Sequence, residues 1–407
     1  MPGFLPQNTI IKKTFIFGLL VKIYDDYNLW RCFNKTVRQI KKIPVSVKHF
    51  FIFPFYHTGG AEKIHADIIK ANNSNQQLVF FTGDSYNDQF REDFYKNALC
   101  FELHILLRNE YYKKKILQSL INMLNKKGDN LVFSSRSEIF YSQIVPGIFL
   151  KNKCIDLIHA FVHEGEPGAE YWSLPVVDKL YKRVTSCYAV KSKLLALYEK
   201  NNIPISLQNR IEVIDNYVDI YENIDFIKKA EKPFTVIYVG RNSPEKRVGH
   251  IIEVADKITN EKNILFYFIG PGMDELCKAN SNNRIHFTGY ISQEDLISYY
   301  RSANIIILLS EREGIPVVLM EAMACGTVPV STNVGGISEL VEHRKTGFLI
   351  ENNTDKVVLI NKATEYILQL YSDQVLWTEI SKKAYLFSIN NFSQEKFNNS
   401  FQKLLII

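Results

Sequence analysis

The side chains best placed to do chemistry lie in one stretch of the 407-residue chain, from Leu309 to Gly326. Glu313 and Glu321 stand eight positions apart there, with Gly314, Ile315, Pro316 and Val317 close behind the first. An apolar strand ends at Ser310, and a polar loop turns at Gly314. Pro316 suits the first turn of a helix, where a missing N–H leaves no bond unmade. Gly326 supplies the C-terminal stop. Such a loop aims free backbone N–H groups and the positive end of a helix dipole out of the carboxyl edge of a parallel sheet, a place suited to a diphosphate. Glu313, ahead of the helix, can reach beyond the phosphates; Glu321, inside it, can accept hydrogen bonds from a diol. Spacing alone leaves the alternative of an exposed helix carboxylate and a loop carboxylate.

The company these residues keep narrows the choice. Glu321-Ala322-Met323-Ala324-Cys325-Gly326 is followed by Val328-Pro329-Val330-Ser331, by Gly335-Gly336-Ile337-Ser338-Glu339-Leu340-Val341, and by Thr346-Gly347-Phe348-Leu349-Ile350. This run resembles the Glu-x7-Glu signature of glycosyltransferase family 4, retaining enzymes of the GT-B fold. Val239-Gly240-Arg241 through Lys246 resembles the family's Gly-Arg…Lys element. The resemblance implies that Arg241 and Lys246 neutralise charge developing on a departing nucleoside diphosphate. Asp156-Leu157-Ile158-His159 is similar to the family's strand ending in His, which implies that His159 meets the transferred sugar; His163 is its rival. Gly59-Gly60-Ala61-Glu62 resembles the Gly-rich first turn that lets backbone approach the donor. Ile214-Asp215-Asn216-Tyr217-Val218-Asp219 resembles the element before the linker, with Tyr217 in place of the usual glycine. The resemblance implies base contacts near Thr288–Tyr290. It implies catalytic roles for Glu313, His159, Arg241 and Lys246, and donor binding by Gly59, Gly60, Arg241, Lys246, Thr288, Tyr290, Glu313, Gly314, Ile315, Pro316, Val317 and Glu321.

The elements that must position these residues alternate as βαβ units. Strands are expected at 47–53, 77–81, 130–134 and 154–159, with helices over 61–71 and 109–127. After a polar stretch ended by Pro233 the rhythm restarts, with strands at 235–239, 265–269, 285–287, 305–309 and 328–331. The expected architecture is α/β, the GT-B arrangement of two Rossmann-like domains with parallel sheets facing an interdomain cleft. The parts are a basic amphipathic extension (1–45), an acceptor domain (46–220), a nucleotide-sugar donor domain (221–390) and a closing helix (391–407).

Composition bounds the rest. Hydrophobic residues make up 46% and charged ones 23%, which argues for packed domains over disorder. Six scattered cysteines show no metal-ligand spacing and no disulfide framework, which fits a reducing cytoplasm. Residues 1–48 hold nine Lys or Arg against Asp25 and Asp26, a local +7 within a total of +6. The remainder is near neutral, so a nucleic-acid partner is not expected. The apolar run Phe15–Val21 is too short to span a bilayer. With Trp30 and the lysines it can lie in a membrane interface, or it can pack on the first domain.

The expected function is metal-independent transfer of a hexose-type sugar from a nucleotide-diphosphate sugar, with retention, to a saccharide or lipid-linked acceptor in cell-envelope polysaccharide synthesis. An anionic membrane surface is a further candidate partner, and the expected location is cytoplasmic or peripheral on the inner face of the membrane. No cofactor and no metal are expected, since the chain has no Asp-x-Asp. A nucleotide-sugar epimerase, a phosphorylase and a catalytically silent sugar-nucleotide-binding protein are the competing readings.

Overall fold

The computed structural model describes residues 7–406 apart from 58, 73, 75, 163–167, 220, 222–223, 225, 227–232, 261, 280–281 and 353–354, with backbone alone for 7–23 and 277–279. His163 and most of the polar linker before Pro233 therefore lie outside the described residues. Seven strands form the first sheet: β1 His49–Phe53, β2 Gln77–Phe81, β3 Leu99–Glu102, β4 Leu131–Ser135, β5 Lys153–Ile158, β6 Leu180–Thr185 and β7 Ile211–Val213. Six form the second: β8 Thr235–Val239, β9 Leu265–Ile269, β10 Ile285–Thr288, β11 Ile305–Leu308, β12 Val328–Asn333 and β13 Phe348–Glu351. The spatial orders are β3-β2-β1-β4-β5-β6-β7 and β10-β9-β8-β11-β12-β13, and every pairing is parallel. Each sheet reverses its strand order once, between β1 and β4 in the first and between β8 and β11 in the second. Those switch points open crevices at the carboxyl ends of the strands.

Both faces of the central strands β1 and β2 are buried, and each is apolar after its first residue. Phe50 and Ile52 of β1 join Leu78, Phe80 and Val132 on one face. Phe51 and Phe53 join Val79, Phe81 and Phe133 on the other. The first face is covered by helix Glu110–Lys127 through Ile116, Leu117, Leu120 and Leu124. Behind it lies helix Gln7–Lys41, 35 residues long. Its last turns belong to the core: Ile40 and Ile43 are buried, Leu29, Phe33 and Val37 pack against it, and the Phe33 and Tyr112 rings are 5.2 Å apart. Sequence spacing put an extension there; the structure gives a helix whose end is part of the domain. Strand β1 starts at His49 instead of Val47, because the Val47 N–H turns back to the Pro44 carbonyl.

The chain ends by returning. Helix Gln374–Asn391 packs on helix Val317–Ala324 of the second domain. The Val218 N–H then donates to the Phe392 carbonyl at 3.1 Å, and helix Gln394–Leu404 lays Phe397, Phe401 and Leu404 into the first domain's core beside Phe51 and Phe133. Tyr217 joins the same cluster, its ring 5.0 Å from Phe397, so the large side chain in place of glycine packs instead of straining the turn. Truncating Phe401 to Ala removes a buried ring that collapse cannot replace. A loss of about 3–5 kcal/mol is expected, read as an earlier denaturant midpoint with an unchanged slope.

Candidate active site

The second domain's half of the site forms at its switch point. The loop after β8 carries Arg241 and Lys246, and the loop after β11 carries Ser310, Glu313 and Gly314. Lys246 Nζ donates to Glu313 Oε1 at 2.6 Å, and Ser310 Oγ donates to the same oxygen at 2.6 Å. An ammonium group has three N–H donors, so two remain for a further oxygen. Arg241 is more exposed, and among the described residues its guanidinium makes a long contact of 3.4 Å with Glu245. Helix Val317–Ala324 begins beside this pair. Pro316 precedes the helix as its cap (φ −76°, ψ 110°) instead of forming its first turn, and its carbonyl accepts from the Leu319 N–H. Glu321 is buried a turn further in. Its Oε1 accepts from Gln293 and Lys63 at 3.3 Å each, and its Oε2 accepts from the Tyr300 hydroxyl at 3.2 Å.

The first domain's half forms at the other switch point. Gly59 ends the loop after β1, and helix Gly60–Ala71 follows with Glu62, Lys63 and His65 on its buried side. Arg136, in the left-handed region at φ 56°, comes directly after β4 and approaches Glu62 to 3.3 Å. His159 follows β5, and its Nε2 lies 3.1 Å from His65 Nε2, so one ring donates to the other. His65 also stacks on Phe53, with centroids 4.3 Å apart.

The two halves touch. A Cβ on Gly314 would lie 1.9 Å from the His159 carbonyl oxygen, a contact only glycine permits. Gly335, at φ 58°, passes just as closely over the Glu313 carbonyl. Gly60 lies against the Val317 side chain, and Lys63 of the first domain forms its ion pair with Glu321 of the second. Glu339 caps helix Tyr188–Lys200 across the boundary, accepting from the Tyr188 and Ala189 N–H groups at 2.9 and 2.6 Å. Glu313, Gly314, Ile315, Pro316, Val317, Glu321, Arg241, Lys246, His159, Gly59 and Gly60 therefore line one interdomain region. Thr288 and Tyr290 do not join the central cluster. Thr288 ends β10 and Tyr290 follows it, two strands from β8 at the sheet edge, where Tyr290 reaches Gln89 of the first domain. Among the described residues no three His, Cys, Asp or Glu side chains gather as a metal site.

Comparison with known proteins gives the chain a family and a fold. The family model of the Glycosyl transferases group 1 covers residues 219–387. An uncharacterized glycosyltransferase of Haemophilus influenzae is 34% identical over 353 residues, 83% of this chain and 94% of that one. The chain belongs to the glycosyltransferases. Poly(ribitol-phosphate) alpha-N-acetylglucosaminyltransferase of Staphylococcus aureus is 28% identical over 213 residues, half of this chain and 41% of that protein. Anabaena HepE, solved in complex with UDP-glucose, superposes with a TM-score of 0.66 over 88% of this chain and 99% of its own, at 18% identity. The GT-B fold of this glycosyl transferase is thus shared over nearly its whole length.

Sequence spacing missed Glu62 as a site group, and Lys63, His65 and Arg136 altogether. Lys63 and His65 sit at positions of a helix that spacing assigns to packing. Arg136 carries no motif; its only signal is that it follows the strand beside β1. Charges around these groups set their protonation. Burial pulls Lys63 down, but Glu321, Asp67 and Asp219 outweigh it and hold its pKa above the ordinary value. Burial raises Glu62 against the opposing pull of Arg136 and Arg241. Loss of solvation, then Arg136, pushes His159 down to about 3, and His65 is lowered well below its ordinary value by burial and by the same neighbours. Between pH 6.5 and 3 the unfolded histidine binds a proton that folded His159 refuses. Its contribution is complete above pH 6.5 and is lost as pH falls through that window. The thermal midpoint should drop from about pH 7.5 to about pH 5, and drop less in His159→Gln. A wild-type midpoint flat over that range contradicts the neutral histidine pair.

Proposed function

We propose that this glycosyl transferase moves a hexose from a nucleotide-diphosphate sugar to a saccharide or lipid-linked acceptor, with retention of anomeric configuration and without a metal ion. One observation carries the reading: the cations and helix start of the second switch point face the histidines and Arg136 of the first across the contact of Gly314 with the His159 carbonyl. The diphosphate lies at Arg241, Lys246 and the N–H groups of Gly314–Val317, and the ribose diol at Glu321. The acceptor oxygen bonds to the anomeric carbon as the carbon–phosphate-oxygen bond breaks, on the same face. Its proton passes to the departing diphosphate, whose added charge the two cations neutralise. His159 and Glu313 hold the sugar hydroxyls, and closure at Gly314 keeps water from the donor. The UDP-glucose complex of HepE supports a uridine nucleotide and a hexose.

Nucleotide sugars screened for protection against thermal unfolding test this reading. A UDP-hexose should raise the midpoint, and chelation with EDTA should leave turnover unchanged. Arg241→Ala and Lys246→Ala should each lower kcat about 10²–10³-fold while the fold is kept. Undiminished turnover in the double variant overturns the assignment, and an epimer formed from donor alone favours an epimerase.

The acceptor belongs to cell-envelope polysaccharide assembly on the inner face of a membrane. Two things support this: a relative named for glycosylating poly(ribitol-phosphate), and the N-terminal helix. On that helix Tyr24, Tyr27 and Trp30 are exposed beside Arg31, Lys35 and Arg38, a face suited to anionic headgroups. No helix among the described residues is long and apolar enough to cross a membrane. Vesicles containing anionic lipid should sediment the protein in a salt-sensitive manner. The triple change of Tyr24, Tyr27 and Trp30 to Ser should abolish this. Truncation at residue 45 is the wrong tool, because it strips Ile40 and Ile43 from the core.

A further inference from the structure

Three rings form a column on the first domain's side of the cleft, outside the residues assigned above. Phe55 stacks on His57 with centroids 4.5 Å apart, and His57 stacks on Tyr86 at 4.0 Å. The column is held from behind. Gly83 leaves the space Phe55 fills, since a Cβ there would stand 2.2 Å from its ring. The Tyr56 N–H donates to Ser85 Oγ at 3.0 Å and ties the loop after β1 to the loop after β2. At the open end Tyr86 is 61% exposed, an unusual outlay of aromatic surface beside a polar cleft. His57 Nδ1 is buried without a hydrogen-bond partner among the described residues.

The column faces the reacting region. After burial, Arg136 and Arg241 are the groups that lower His57, and Glu62 and Arg241 are the groups that act on the Tyr86 hydroxyl. Phe55 and His57 lie in the loop after β1 that leads to Gly59, and Arg136 follows β4, the strand paired with β1, so the rings and the Glu62–Arg136 pair stand at the same switch point. Thr82, Gly83 and Asp84 at the start of the Tyr86 loop also line a cavity of about 380 Å³ with His104, Arg108 and Glu138. An aromatic face is negative and the C–H bonds of a sugar ring are weakly positive, so a pyranose lies flat on such a face while its hydroxyls point outward.

We propose that Tyr86, backed by His57 and Phe55, is the platform for a pyranose ring of the acceptor, with the Glu62–Arg136 pair taking its hydroxyls. This rests on the sugar-transfer reading above and adds the subsite and the chemistry of its occupant: a neutral hexopyranose presented edge-on to the donor. Arg136 and Glu62 hold opposite charges 3.3 Å apart, which suits a hydroxyl that accepts from one and donates to the other better than it suits an acid group.

Saturation-transfer NMR tests the platform with methyl pyranosides of glucose, galactose, mannose and N-acetylglucosamine. The protein is held with whichever of UDP, GDP or ADP raises its thermal midpoint. Irradiating aromatic protons should saturate the C–H protons of one sugar face. Tyr86→Phe should keep the transfer, and Tyr86→Leu should lower it about tenfold with the affinity for the nucleotide unchanged. Equal transfer in Tyr86→Leu, or none from any pyranoside while the nucleotide still binds, overturns the platform. Failure of all three nucleotides to stabilise the protein overturns the transfer reading, and this inference with it.

Discussion

The contact between the Gly314 backbone and the His159 carbonyl joins the carboxyl edges of two parallel sheets, and the arrangement of the site depends on it. Each edge alone presents a crevice with unspent N–H groups and a few charges. Brought to backbone contact, the two crevices become one enclosure with walls fixed by strands. The absence of a side chain at Gly314 allows that approach, and at Gly335 it lets the chain pass over the Glu313 carbonyl, so these residues act through the distance they permit.

Enclosure changes what charge can do. Lys246 with Glu313, Lys63 with Glu321 and Arg136 with Glu62 are oppositely charged pairs, each with at least one buried or nearly buried partner. Away from water such pairs hold each other in orientation. A ligand carrying phosphate and hydroxyl groups meets partners already placed, with little reorganisation left to make. The same withdrawal from water that stabilises these pairs strips the proton from His65 and His159.

The parts outside the cleft keep the two halves in register. The closing helix carries Phe397 and Phe401 back into the first core after the preceding helix has packed on the second, so the chain crosses between domains twice. Glu339 adds a cap across the boundary to a helix whose own N-cap, Cys187, offers no side-chain bond. Asp156, part of the motif that ends in His159, makes a buried ion pair with Arg183 at 2.5 Å and accepts from the Tyr141 hydroxyl. Its part in the site is to hold the strand that presents the histidine.

The sequence alone determined the alternation of strands and helices, because apolar runs of strand length bounded by Gly and Pro are local signals. It also determined the second domain's half of the site. There Arg241, Lys246, Glu313 and Glu321 lie close to strand ends that are themselves legible, and a contiguous resemblance names them. In the first domain's half the resemblance named Gly59, Gly60 and His159, and only the tertiary structure added the rest. Lys63 and His65 share one helix while Arg136 follows β4, and nothing in their spacing says that β1 and β4 are neighbours or that Lys63 will meet Glu321 258 positions away. The fate of the N-terminal helix and of the tail was decided there too. An amphipathic stripe shows that a face must be buried, and the surface that buries it exists only after the chain has folded.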